Sequence, residues 1–132
     1  MRIQRLDHLV LTVSDVDRTV DFYTRGLGMR AETFDGDRRA LGFGGQKINL
    51  HESGREAEPR AARPTPGSGD LCLVTDTPLD QVHEHLRSQG ISVELGPVRR
   101  TGAMGPMTSL YVRDPDDNLV EIASYRQPQA TA

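Results

Sequence analysis

The segment Asp114-Pro115-Asp116-Asp117-Asn118-Leu119-Val120-Glu121-Ile122 sets a tight turn directly before a strand. Pro115 pre-sets φ, the aspartate side chains can hydrogen-bond nearby amides, and Asn118 is the residue that tolerates a positive φ. Beyond the turn, Leu119 to Tyr125 alternates. Val120, Ile122 and Ser124 share one face, and Leu119, Glu121, Ala123 and Tyr125 share the other. Glu121 is thus a carboxylate placed mid-strand among apolar neighbours, where an unpaired charge is costly. It requires a cation, a hydrogen-bond donor or water; a cross-strand ion pair with Arg113 or Arg126 is one way to supply it.

Working outward, the same pattern of elements occurs twice. Arg5 to Val13 alternates as a strand, and Ser14 with Asp17 resembles a capping box that opens a helix. Val16, Val20, Tyr23 and Leu27 form its apolar stripe, and Gly28 ends it. Three short strands follow, Met29–Asp35, Arg38–Phe43 and Gln46–Glu52, with turns at Asp35-Gly36-Asp37 and Gly44-Gly45. From Ser53 to Gly69 the periodicity stops in a Pro-, Gly- and Arg-bearing linker or lid whose Arg55, Arg60 and Arg63 read as solvated. A second set then runs through a strand at Asp70–Thr75 and a helix capped by Thr77 with Pro78 in its first turn. Leu79, Val82 and Leu86 line that helix and Gly90 ends it; strands follow at Ile91–Val98, Met107–Val112 and Leu119–Tyr125. Thr101–Pro106 reads as a Gly-rich loop.

The register of this repeat is testable. Aligning His8-Leu9-Val10-Leu11 with Asp70-Leu71-Cys72-Leu73 gives an offset of 62, and the helix-ending Gly28 and Gly90 give the same 62. The closing strands, Ile48-Asn49-Leu50 and Val120-Glu121-Ile122, give 72, which longer loops in the second half absorb.

Composition narrows the class. A net charge of −3 over 132 residues is not a nucleic-acid footprint. No stretch approaches the roughly 18 consecutive apolar residues of a membrane helix. Met1-Arg2-Ile3-Gln4-Arg5 has charge without an apolar run behind it, and the single Cys72 fits a reducing compartment. A cytoplasmic protein with neither nucleic-acid nor membrane partners is the expectation. Aromatic residues make up only 5%, lean enough that a second chain is expected to complete part of the core.

Three pieces together resemble the vicinal oxygen chelate superfamily, which includes glyoxalase I, extradiol dioxygenases, fosfomycin-resistance transferases and bleomycin-binding proteins. They are Leu6 to Asp15, Asp21-Phe22-Tyr23 leading to Gly26-Leu27-Gly28-Met29, and Asp114 to Ile122. Asn49-Leu50-His51-Glu52 and Pro64 to Ser68 are most similar to small glyoxalase-domain proteins of that superfamily. The resemblance implies an α+β fold: one domain over residues 1–132, with two βαβββ modules at about 4–52 and 70–126 joined by linker 53–69. The modules form a curled mixed sheet around a metal and substrate cavity, usually in a homodimer.

It also implies a ligand set, drawn from the first and last strand of each module: His8, Asn49 or His51, Asp70 and Glu121. His8 and Glu121 match the usual ligands. Asn49 aligns on a carboxylate of glyoxalase I-like members, and His51 shares its strand face one pleat on. Asp70 stands where most metal-binding members have a histidine, which changes metal preference. With one divalent ion, Ni, Zn, Mn, Co or Fe, the implied chemistry is lyase or isomerase work on a small substrate chelated through adjacent oxygens, Glu121 moving the proton. Asn49, Arg100 and Tyr111 are the candidate substrate-binding residues. The alternatives are an Fe(II) dioxygenase, which requires His51, a thiol or epoxide transferase, and a metal-free small-molecule-binding protein of the resistance type. His83 and His85, at i and i+2 on a helix, do not share a face.

Overall fold

The computed structural model describes residues 1–126. The order of elements is β1 (His8–Val13), α1 (Val16–Asp21), a π-helical turn (Phe22–Gly26), β2 (Arg30–Phe34), β3 (Arg38–Phe43) and β4 (Gln46–Glu52). After these come β5 (Asp70–Val74), α2 (Leu79–Ser88), β6 (Leu95–Gly102), β7 (Gly105–Arg113) and β8 (Leu119–Ser124). The described chain divides into two units, the first comprising Met1–Ser68 with Pro115–Asp117, the second Gly69–Asp114 with residues 118–126. Each carries one four-stranded mixed sheet, and the fold is α+β. None of the described helices is long and apolar enough to cross a membrane.

In the first unit the strand order is β1-β4-β3-β2, so β1 and β2 are the edges. β1 runs parallel to β4 with Val10 beside Asn49 and Thr12 beside His51. One face of the sheet is apolar: Leu11, Val13, Leu41, Ile48 and Leu50 are buried together with Tyr23 and Met29. The helix differs from its expected course. Its N-cap is Asp15, whose carboxylate accepts from the Arg18 amide at 3.1 Å. Ser14 is not the cap because its own N–H is used elsewhere, donating to the Asp116 carboxylate at 3.1 and 3.3 Å. The helix also widens into the π turn before Gly28. That rotates its inner face onto Thr19 and Tyr23, both fully buried, and leaves Val16, Val20 and Leu27 half-buried. The segment after β4 is ordered by its own contacts. Arg60 is exposed, and it also pairs with Glu56 at 3.0 Å and Glu58 at 3.1 Å.

In the second unit the order is β5-β8-β7-β6, again with the first strand at an edge and parallel to the last. Leu110, Val112, Val120 and Ile122 are buried on one face, and Leu86 of α2 is fully buried. Pro78, not Thr77, is the N-cap of α2. The expected strand at Ile91–Val98 is displaced: the paired segment is Leu95–Gly102, with a register irregularity between Leu95 and Val98. Gly96, at φ +119, lets the chain pass close to the Ser109 carbonyl of β7. The stretch read as a loop at Thr101–Pro106 is mostly ladder, Thr101 pairing Pro106 and Gly102 pairing Gly105 across a two-residue turn.

The duplication holds in register. Gly28 and Gly90 end their helices at φ +72 and +73. Val10 stands beside Asn49 as Cys72 stands beside Glu121, so the offsets of 62 and 72 describe one arrangement built twice. Asn49 is the counterpart of Glu121, and His8 that of Asp70.

The turn at Asp114–Asn118 is built differently from its expectation. Asp117, at φ +66, supplies the positive φ. Asn118 is instead buried and spent on hydrogen bonds: its Oδ1 accepts from the Gly69 amide at 2.7 Å, and its Nδ2 donates to Asp114 Oδ2 at 2.8 Å.

Candidate functional site

Alternation along the strands gives each sheet a polar face opposite its apolar one. In the first unit that face carries His8 and Thr12 from β1, Lys47, Asn49 and His51 from β4, and Ala40 from β3 beside Asn49. The His8 ring is held through Nδ1, 2.8 Å from Asp7 Oδ1, which leaves Nε2 as the ring nitrogen not engaged by Asp7. The hydrogen bond to His8, more than the charges of His8, Arg5 and Lys47, holds the Asp7 carboxyl below its usual value. Burial lowers the His51 pKa, Arg38 lowers it further and Glu56 partly opposes this.

Two buried polar atoms on this face, Asn49 Oδ1 and His51 Nε2, have no hydrogen-bond partner among the described residues. An unmade bond of this kind costs about 1–3 kcal/mol. The register does not bring His51 to His8. They are four residues apart along adjacent strands, about 13 Å, too far for two imidazoles to share an ion within this sheet. Asn49 lies only one pleat from the His8 level.

In the second unit the polar face carries Asp70 and Cys72 from β5, Glu121 from β8 and Tyr111 from β7, the last paired directly with Glu121. Glu121 Oε2 accepts from Ser109 Oγ at 2.6 Å, and Ser109 is fully buried. The ion-pair alternatives for Glu121 are not what is found: Arg113 forks onto Glu94 at 3.0 and 3.2 Å, and Arg126 donates to the Asp76 carbonyl at 2.9 Å. Arg100 Nε donates to Tyr111 Oη at 2.9 Å, so two of the three candidate substrate residues stand on the face of Glu121, while Asn49 lies in the first unit's sheet. Asp70 is exposed, one pleat from the Cys72–Glu121 pair.

Three participants were not singled out by the sequence. Ser109 and Asp7 orient Glu121 and His8, and Lys47 is the registered neighbour of His8. Only the alternation Met107, Ser109, Tyr111 foretells a hydroxyl opposite the carboxylate strand.

Cys72 responds to the same carboxylate. Burial, then the Glu121 charge and its hydrogen bond, push the thiol up to about 11 from 9.0. A raised thiol pKa means that the reactive thiolate is scarce at neutral pH. Below pH 9, alkylation of folded protein should run about 100-fold slower than in the unfolded chain, and the rate should keep rising through pH 10. Iodoacetamide kinetics against pH check this; a plateau near pH 8–9 contradicts it.

A divalent ion suits these side chains on donor chemistry: an imidazole nitrogen and two carboxylates are ligands for Zn, Mn, Fe, Ni and Co. His8 and Glu121 each already have the outer hydrogen bond that metal ligands require. Among the described residues, no group of three His, Cys, Asp or Glu converges.

Comparison with known proteins gives a consistent result. A virulence protein of Salmonella typhimurium, STM3117, is 56% identical over 95% of this chain and 87% of its own length. Its crystal structure matches with a TM-score of 0.94 over 96% of this chain and all of that one. The glyoxalase domain-containing protein RDO1 of Mycosarcoma maydis is 54% identical over 96% of this chain and 71% of its own length. An integron cassette protein from the mobile metagenome of V. cholerae, 52% identical, matches with a TM-score of 0.94 over 96% of this chain and 98% of that one. The family model for glyoxalase, bleomycin resistance protein and dioxygenase matches residues 5–122. With two sheets in one repeated register and a match across nearly its full length, the chain belongs to the glyoxalase/bleomycin resistance protein/dioxygenase superfamily.

Proposed function

We propose that the protein is a divalent-metal-dependent, glyoxalase-like enzyme of lyase or isomerase type, acting on a small substrate that presents two neighbouring oxygens. The observation that carries this reading is Glu121: a carboxylate pinned at 2.6 Å by a fully buried serine and bordered by Tyr111 and Arg100. The donors we assign to an ion are Asp70 and Glu121 within the second unit and His8 within the first. When bound, the ion supplies Lewis-acid polarisation of a carbonyl, stabilising the developing oxyanion by several kcal/mol.

The chain's own groups do the rest. Ser109 holds Glu121 Oε2 and leaves Oε1 to take up or return a proton at the carbon next to the carbonyl. Asp7 keeps the His8 ring in one orientation. Arg100, braced on Tyr111, offers its remaining guanidinium donors to an anionic substrate oxygen. The dioxygenase alternative requires two histidines and a carboxylate on one ion; the four-residue offset of His8 and His51 weighs against it.

Metal analysis of protein purified without chelators, with thermal shifts against Ni, Co, Mn, Zn and Fe(II), tests the reading. Stoichiometric uptake is expected, abolished in Glu121→Ala and weakened about 10–100-fold in Ser109→Ala. A chain that holds no metal and shows no shift with any of these ions overturns it.

A further inference from the structure

The first unit's polar face holds a second set of groups that the metal chemistry does not use. Lys47, Asn49 and His51 alternate along β4, so their side chains rise from one face at successive pleats, about 6.6 Å apart. Asn49 is 5% exposed, and its Oδ1 has no donor among the described residues; the same holds for a partner to His51 Nε2. A carbonyl oxygen only accepts, so the group it lacks is a hydroxyl, an N–H or a cation.

Charge supplies the second observation. The ring of Phe34 gathers two cations, the Lys47 ammonium at 3.6 Å and the Arg38 guanidinium at 4.8 Å from its centroid. The two like charges repel each other, and a bound anion would offset that repulsion. The nearby carboxylates are weakly placed or shared: Asp35 meets Arg38 at 3.9 Å, Glu32 of the same face pairs with Arg30 at 3.8 Å, Asp7 is shared between His8 and Arg5, and Glu56 acts on His51.

We infer that this face is a recognition subsite for a small hydroxylated anion, a hydroxy carboxylate or a polyol phosphate. Its negative group lies toward Lys47 and Arg38, and its hydroxyls satisfy Asn49 Oδ1 and His51 Nε2. The inference names the substrate class of the proposed enzyme and rests on that reading for turnover only, because the binding itself uses no metal ligand.

Calorimetric titration of the metal-stripped full chain with glycerate, glycerol 3-phosphate, glycerol, acetate and inorganic phosphate tests it. Glycerate or glycerol 3-phosphate is expected to bind at least about tenfold more tightly than the three fragments; which of the two wins decides between carboxylate and phosphate. Lys47→Met, a substitution at a half-exposed position, and Asn49→Ala should each weaken that binding about tenfold, while Arg87→Ala, at an exposed position on α2, leaves it unchanged. Equal binding of all five probes, binding of none, or wild-type affinity in Lys47→Met overturns the inference. Failure of metal uptake alone overturns the enzyme reading and leaves this one standing.

Discussion

Asp114→Ala should lower the free energy of unfolding by about 3–5 kcal/mol, more than most single surface or turn substitutions. Asp114 is only 4% exposed, and its carboxylate accepts from the Asn118 amide at 2.9 Å and from Asn118 Nδ2 at 2.8 Å. Asn118, 1% exposed, passes the connection on by accepting from the Gly69 amide at 2.7 Å. Removing the carboxylate leaves two buried donors without acceptors. It also releases the side chain that fixes where β5 begins against β8. Urea unfolding of the variant gives the magnitude, and amide exchange at Gly69 gives the location. A change within about 0.5 kcal/mol would mean that Pro115 and the φ of Asp117 define the turn without the network.

Gly96→Ala is expected to cost about 3 kcal/mol or more. A Cβ there would stand 2.5 Å from the Ser109 carbonyl and 3.0 Å from Leu110 Cα, backbone atoms of two fully buried residues that have no room to retreat. The φ of +119 adds strain for any L side chain. Gly105→Ala is the control: its φ is similar at +126, but nothing lies within 4 Å of the added carbon. The difference between the two variants in urea unfolding isolates the steric part. Equal losses would show that conformation alone sets the cost at Gly96. Because the crowded carbonyl belongs to Ser109, the Gly96 variant should also loosen the hydroxyl that holds Glu121 and weaken metal uptake along with stability.

How much of this was legible beforehand follows from what each residue depends on. β3 and β4 were placed to the residue because glycine-rich turns bound them and their alternation is uninterrupted. The repeat was legible from two glycines and one motif, and the paired registers Val10–Asn49 and Cys72–Glu121 express it directly. β6 was not. Its position is set by where β7 offers partners and by the close passage at Gly96, and neither leaves a mark on the local pattern of Ile91–Val98. The cap at Asp15 was missed for a related reason: Ser14 is diverted by Asp116, a residue 102 positions away.

The site divides in the same way. That His8, Asn49, Asp70 and Glu121 stand on equivalent strands could be read from the offsets. That Ser109 braces Glu121, or that Lys47 and Arg38 meet on Phe34, depends on cross-strand neighbours that no single stretch of sequence brings together.

In both sheets the strand bearing the first candidate ligand, β1 with His8 and β5 with Asp70, is an edge strand. A strand sends its side chains perpendicular to the sheet and its backbone hydrogen bonds within the plane. Chemistry and association are thereby addressed along orthogonal directions by the same few residues. A side-chain exchange at His8 or Asp70 changes what the face can bind while the open edge stays as it was. A proline whose missing N–H lies on the outward side would close that edge while the ligand keeps its place. The two properties can drift independently, which lets one small scaffold acquire new ligands without first renegotiating its neighbours.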